Sequence, residues 1–171
     1  MKSDGVSLKR ATVEDVETLT AVQTRTFVDD RRLVPPGGTL AGPPGFDSVT
    51  WNRRVIENDR AAYYKVLLGE KIIGGLILID AGNGKWELGR IYIDPGHQNR
   101  GFGQQTVRRM YRLHPHVRRW RLGTPEWASR NRHFYEKMGF TIAEITGVDP
   151  NLGWRSVEYE NVLAQEEREQ L

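Results

Sequence analysis

Three apolar stretches separated by tight turns occupy the middle of the chain and constrain its fold most. Tyr63 to Leu68 and Ile72 to Ile79 have strand length and are separated by Gly69-Glu70-Lys71. Asn83-Gly84, a hairpin dipeptide, leads into a third run from Lys85 to Ile93. Connections this short hold no crossover, so neighbouring strands must pair antiparallel. Around this meander the pattern predicts a strand from Val6 to Lys9, then a helix begun at Thr12-Val13-Glu14-Asp15, where a threonine N-cap precedes an acid by three positions. A second helix is expected from Asp47 to Asn58, a third from Gly103 to about Leu113 and a fourth from Ser129 to Met138, stopped by Gly139. Trp120 to Thr124, Phe140 to Ile145 and Trp154 to Asn161 complete the strands. The order β-α-α-β-β-β-α-β-α-β-β predicts an α/β (α+β) fold, with a mixed, mostly antiparallel sheet and one parallel step.

The 171 residues suit one domain, expected over 1–171, and 38% hydrophobic residues supply a real core. The chain has no Cys, which excludes disulfide scaffolds, cysteine zinc sites and a cysteine nucleophile. His97, His114, His116 and His133 form no metal-binding pair, so no metal is expected. The longest apolar run, Ile72 to Ile79, is far short of the roughly 20 residues that span a bilayer. Nothing at the N-terminus reads as a signal peptide, and a cytoplasmic protein is expected.

Charge is unevenly spread. From Pro95 to Pro125 there is no acid, while Arg100, Arg108, Arg109, Arg112, Arg118, Arg119 and Arg121 leave the rest of the chain net negative. This asymmetry points to an anionic partner: a nucleic acid, a membrane surface or a phosphorylated cofactor.

The segment Ile91-Tyr92-Ile93-Asp94-Pro95-Gly96-His97-Gln98-Asn99-Arg100-Gly101-Phe102-Gly103 runs from a strand through a glycine turn into a helix. Gly101 and Gly103 remove Cβ atoms where a backbone would approach a ligand, and the N–H groups opening the helix form an anion site. No Gly-Lys-Ser/Thr follows, so it is not a Walker loop, and no third glycine makes it a dinucleotide fingerprint.

Gln98-Asn99-Arg100-Gly101-Phe102-Gly103 resembles the Gln/Arg-x-x-Gly-x-Gly/Ala motif of the GNAT family of N-acetyltransferases. Asn131-Arg132-His133-Phe134-Tyr135-Glu136-Lys137-Met138-Gly139-Phe140 resembles that family's Asn…Tyr-Glu-Lys-x-Gly-Phe signature. The likeness extends from Val6 to about Val162 and implies a sheet whose central parallel pair splays apart. It further implies acetyl-CoA as co-substrate, an amine as acceptor and direct acetyl transfer. Ile91, Tyr92 and Ile93 would pair with the pantetheine arm, and Asn99, Arg100, Gly101, Phe102, Gly103 and Gln104 would cradle the pyrophosphate. Gln98 belongs to the same binding turn, and Asn131 would bond the pantetheine or an ordered water. Homodimers are common in the family and stay open here.

Transfer needs a deprotonated amine and a proton for the leaving thiolate. The resemblance puts a general acid at Tyr135, whose phenol of pKa about 10 can protonate a thiolate. Glu87, eleven positions before Gln98, resembles a general-base position of the family. A backbone N–H near Ile91 would hold the oxyanion. Trp86, Trp120 and Trp127 are expected in the core, and Phe46 and Trp51 as the acceptor wall. The Pro35–Gly45 segment, with Arg31 and Arg32 before it, is expected to form a lid over that wall. Two rivals remain. A nucleic-acid module would use the basic 100–121 stretch, but Pro115 splits those arginines and no recognition signature accompanies them. A CoA-binding sensor without catalysis would keep the fold alone.

Overall fold

The computed structural model describes residues 5–36 and 42–163. Seven strands and four helices follow one another in the expected order: β1 (Val6–Arg10), α1 (Val16–Asp30), α2 (Val49–Ile56), β2 (Ala61–Leu68), β3 (Lys71–Gly82), β4 (Lys85–Ile93), α3 (Phe102–Leu113), β5 (Arg119–Pro125), α4 (Ser129–Lys137), β6 (Thr141–Ile145) and β7 (Ser156–Val162). The strands form one sheet in the order β1-β2-β3-β4-β5-β7-β6, and only β4 and β5 run parallel.

Local chemistry accounts for the boundaries. The Thr12 N–H donates to Asp15 Oδ2 at 2.9 Å, and a short 3-10 turn over Val13–Asp15 feeds α1. Asp15 also holds Lys65 Nζ at 2.9 Å, tying that turn to β2. Ser48, rather than Asp47, caps α2, accepting from the Trp51 N–H. Gly139 takes φ +94° behind α4, the left-handed conformation that ends a helix cheaply only at glycine.

Helices cover both faces of the central strands, while every residue of the edge strand β6 is exposed. Val107, Met110 and Tyr111 of α3 pack on Leu76, Leu78, Leu88 and the fully buried Trp120, with Phe134, Tyr135 and Met138 alongside. On the opposite face Leu19 and Val22 of α1 meet Tyr63, Ile77 and Tyr92. Here a buried polar network replaces pure hydrocarbon. The Tyr63 and Tyr92 hydroxyls lie 2.6 Å apart, and Gln23 Nε2 donates to Asn52 Oδ1 at 2.9 Å and to Tyr63 Oη at 3.2 Å. Every member of the network has a partner, so its burial is tolerated. No helix among the described residues is long and apolar enough to cross a membrane.

Candidate active site

The parallel pair opens at the centre of the sheet. Lys85, Trp86 and Glu87 face Arg119, Trp120 and Arg121, and there the pairing stops. Beyond it β4 is held by β3 alone and β5 by β7 alone. A bulge helps part them: Ile77 faces Arg90 while Leu78 faces Leu88, leaving Gly89 as the extra residue. Such an insertion bends its strand and re-aims the side chains that follow. The Ile93 carbonyl points into the opening, where it accepts from Gln98 Nε2 at 2.8 Å and Thr26 Oγ1 at 3.3 Å. Strand backbone repeats every two residues, so Ile91 turns its own N–H and C=O the same way.

At the end of β4 the chain passes through a 3-10 turn at Pro95–His97 into α3. Asn99 and Gly101 both take positive φ, +60° and +80°. The first helical N–H with a carbonyl partner is that of Gln105, bonded to Gly101 O at 3.1 Å. The N–H groups of Phe102, Gly103 and Gln104 are therefore left for a ligand. A Cβ at Gly101 would meet nothing within 4 Å, so the space above the turn is open; one at Gly103 would press on the Phe134 ring at 3.3 Å.

Two adjoining cavities fill the opening, of about 320 and 300 Å³. The first receives Ile91, Tyr92, Ile93, Gln98 and Asn99, together with Gly101, Phe102, Gly103, Gln104 and Asn131. Tyr92 contributes backbone only in effect, since its ring is buried on the α1 face. Gln98 is already engaged: besides bonding Ile93, its Oε1 accepts from Arg130 at 2.6 Å, which joins the turn to α4. Arg100 lines neither cavity and stacks over Phe102 at 5.0 Å. None of the seven arginines of the acid-free stretch lines the opening; the cations that do in the first cavity are Arg130 and Lys137 of α4. His133 lines it too.

Phe27, Asp30, Ile91, Asn131 and Tyr135 border both cavities. Burial pushes the pKa of the Tyr135 phenol up to about 12. Burial likewise raises the Asp30 carboxyl, against the partial pull of Arg130. Glu87 is exposed and borders neither cavity. Asp30 carries no signal in the sequence, where Asp29-Asp30 reads as an ordinary acidic helix end.

The acceptor wall differs from expectation. Phe46 is buried edge-on against Phe27 at 5.9 Å, and Trp51 lies beneath Arg90 at 4.4 Å. Neither is among the residues bordering the second cavity. Trp127, expected in the core, lines that cavity with Trp154, 5.6 Å away and nearly perpendicular. Gly42, Pro43 and Pro44 border it as the lid reading requires; residues 37–41 of that segment lie outside the described residues.

Residues 55–142, just over half the chain, match the acetyltransferase (GNAT) domain family, and the protein belongs to it. Solved structures agree in fold. An acetyltransferase from Thermus thermophilus has 21% identity and a TM-score of 0.75, over 95% of this chain and 100% of that one. The PaiA N-acetyltransferase from Thermoplasma acidophilum, in complex with coenzyme A, has 18% identity and a TM-score of 0.75, over 93% and 99%. The spermidine/spermine N-acetyltransferase SpeG from Vibrio cholerae has 14% identity and a TM-score of 0.69, over 95% of each chain. Comparison with curated protein sequences finds no match.

Proposed function

We propose that the protein transfers the acetyl group of acetyl-CoA directly to a primary amine. The observation that carries this reading is the unpaired edge of β4 leading straight into the uncovered N–H groups of α3, with Tyr135 and Asp30 where the two cavities meet. An extended pantetheine arm fits such an edge as an added strand. A pyrophosphate fits the α3 N-terminus, since the open space over Gly101 admits it and the helix dipole favours it. Acetyl-CoA supplies an activated thioester; the rest is the work of the chain's own side chains and backbone.

An alkylammonium has a pKa of about 10.4 and must lose a proton before it can attack. Asp30, its basicity raised by burial, takes that proton at the junction of the cavities. Glu87, at the exposed start of the splay, is the alternative acceptor, through water. The Ile91 N–H faces the carbonyl oxygen as it gains negative charge, a preorganised donor with no reorganisation to undergo. Tyr135 donates its phenolic proton to sulfur as the C–S bond breaks. Burial raises the phenol, but it raises a thiolate in the same site as well, so donor and acceptor stay matched. Asn131 orients the pantetheine or a water beside them, and Gln98 holds the turn through Ile93 and Arg130.

The test is free-thiol release from acetyl-CoA across pools of amines, run beside thermal unfolding with acetyl-CoA. Turnover with at least one amine and a rise in Tm are expected, because a ligand of the folded state stabilises it by mass action. No rise at millimolar acetyl-CoA would remove the co-substrate assignment. A rise without turnover by any amine would leave a CoA-binding sensor.

A further inference from the structure

The second cavity carries a charge pattern that the transfer reaction does not require. Arg90 emerges just past the Gly89 bulge and lines it. Its guanidinium is partly buried, and its hydrogen bonds go to neutral atoms, Gln23 Oε1 at 2.6 Å and Pro44 O at 3.0 Å. The Trp51 ring lies below it at 4.4 Å. Among the described residues no carboxylate pairs with it. Removing a cation from water without a counter-charge is costly, and a guanidinium has five N–H donors, of which those two bonds occupy a part. Apolar walls line the same cavity: Phe27, Pro43, Leu152 and Trp154. Asp30 is the one carboxylate among the described residues bordering this cavity, and it sits at the end shared with Tyr135.

We infer that the acceptor is an amine that also bears a carboxylate, namely an amino acid with an apolar side chain, held by Arg90. The inference rests on the amine-acetylation reading above and narrows its substrate class. The ammonium lies toward Asp30, the carboxylate toward Arg90 and the side chain against the aromatic walls. A polyamine is disfavoured, because its distal ammonium would meet a guanidinium where it needs an acid. Arg90 also braces the Pro44 carbonyl and Gln23, so a purely structural role must be separated from recognition.

The experiment is calorimetric titration of the full chain, saturated with CoA, with L-phenylalanine and L-leucine, their amides, phenethylamine and spermidine. Thiol release from acetyl-CoA is measured in parallel with the same compounds. The free amino acids should bind roughly 10- to 100-fold more tightly than the amides, phenethylamine or spermidine, as expected for a charge-assisted hydrogen-bonded anion. Arg90→Gln should erase the difference between acid and amide. A merely structural Arg90 would lower all affinities together and leave the ratio intact. The wild-type series decides even if Arg90→Gln fails to fold. Equal or tighter binding of amides, phenethylamine or spermidine overturns the inference, as does an absence of binding by both amino acids. Carboxylate-dependent binding without thiol release would sink the transfer reaction and, with it, the acceptor role, leaving an amino-acid-binding cavity at Arg90.

Discussion

At the scale of single side chains the proposed transfer rests on Tyr135 and Asp30, and one substitution separates each from its alternatives. Tyr135→Phe removes only the hydroxyl, so the edge-on packing against Phe134 at 5.4 Å and Phe140 at 6.0 Å survives. We expect kcat to fall roughly 10- to 1,000-fold with acetyl-CoA affinity nearly unchanged, the behaviour of a lost general acid. A residual rate remains because water can protonate the thiolate. With the phenol raised to about 12, wild-type kcat should hold past pH 10, where a free phenol would already ionise. Unchanged kcat in the variant would reduce Tyr135 to packing. For the base, Asp30→Asn should cost about 100-fold or more in kcat, while Glu87→Gln stays within a few-fold. The acid limb of the kcat profile should then lie above the usual carboxylate range, as the raised Asp30 requires. The opposite pair of results would transfer the role to Glu87.

Among the elements, the turn into α3 is where backbone geometry bears most directly on the proposed phosphate site. Gly101 has φ +80° as the N-cap, a conformation that costs an L-residue about 1–2 kcal/mol, yet a Cβ there meets no atom. Gly101→Ala therefore reads out strain alone and should lower Tm modestly while acetyl-CoA still binds. Gly101→Glu adds a carboxylate where a phosphate would sit, and binding measured by calorimetry should drop about tenfold or more beyond the alanine variant. Equal affinities for the two variants would mean that the anion sits elsewhere. The same logic applies to β4. Its bulge at Gly89 is what turns Arg90 toward Gln23 and frees the Ile91 backbone, so a regular strand there would close the site.

For the molecule as a whole, buried titratable rings set the pH range of stability. Tyr63, Tyr111 and Tyr135 are each raised to about 12 by burial, and Tyr92 is raised with them. Above pH 10 the unfolded chain loses phenolic protons that the folded one keeps, so stability falls as pH rises from about 10 toward 12. On the acid side, burial lowers His114 to about 4, and its Nε2 lies 2.8 Å from the Tyr64 hydroxyl. Between about 6.5 and 4 the unfolded chain binds a proton that the folded one refuses, so stability falls as pH drops through that window. Denaturant midpoints measured across pH should show both shoulders. Replacing His114 with Phe should flatten the acid one, whatever it does to the absolute midpoint. An acid shoulder that persists in this window in His114→Phe would remove His114 as its cause, because Asp15 and Asp94, both held below their usual value, act only at lower pH.

The order of strands and helices was readable from the chain because hairpin turns, caps and glycine stops act over a few residues. The Gly101 turn and the Tyr135 signature were readable for the same reason: each is a contiguous motif whose chemistry is local. One parallel step was expected, but where β4 and β5 part is fixed by the Gly89 bulge and by which strand β5 finds beside it. The second cavity had no local signal beyond the Pro/Gly-rich segment at its border. Asp30, Arg90, Trp127 and Trp154 lie on α1, β4 and the loops around α4 and β7, and they meet only because the splayed sheet brings those elements to one opening. Trp51 and Phe46 depart from expectation for the converse reason. An aromatic beside a Pro/Gly-rich loop can turn either way: Phe46 turned in against Phe27 of α1, and Trp51 of α2 packed beside the Leu19 cluster under Arg90. Sequence thus determined what depends on near neighbours along the chain, while tertiary structure decided what depends on contacts between residues far apart in it.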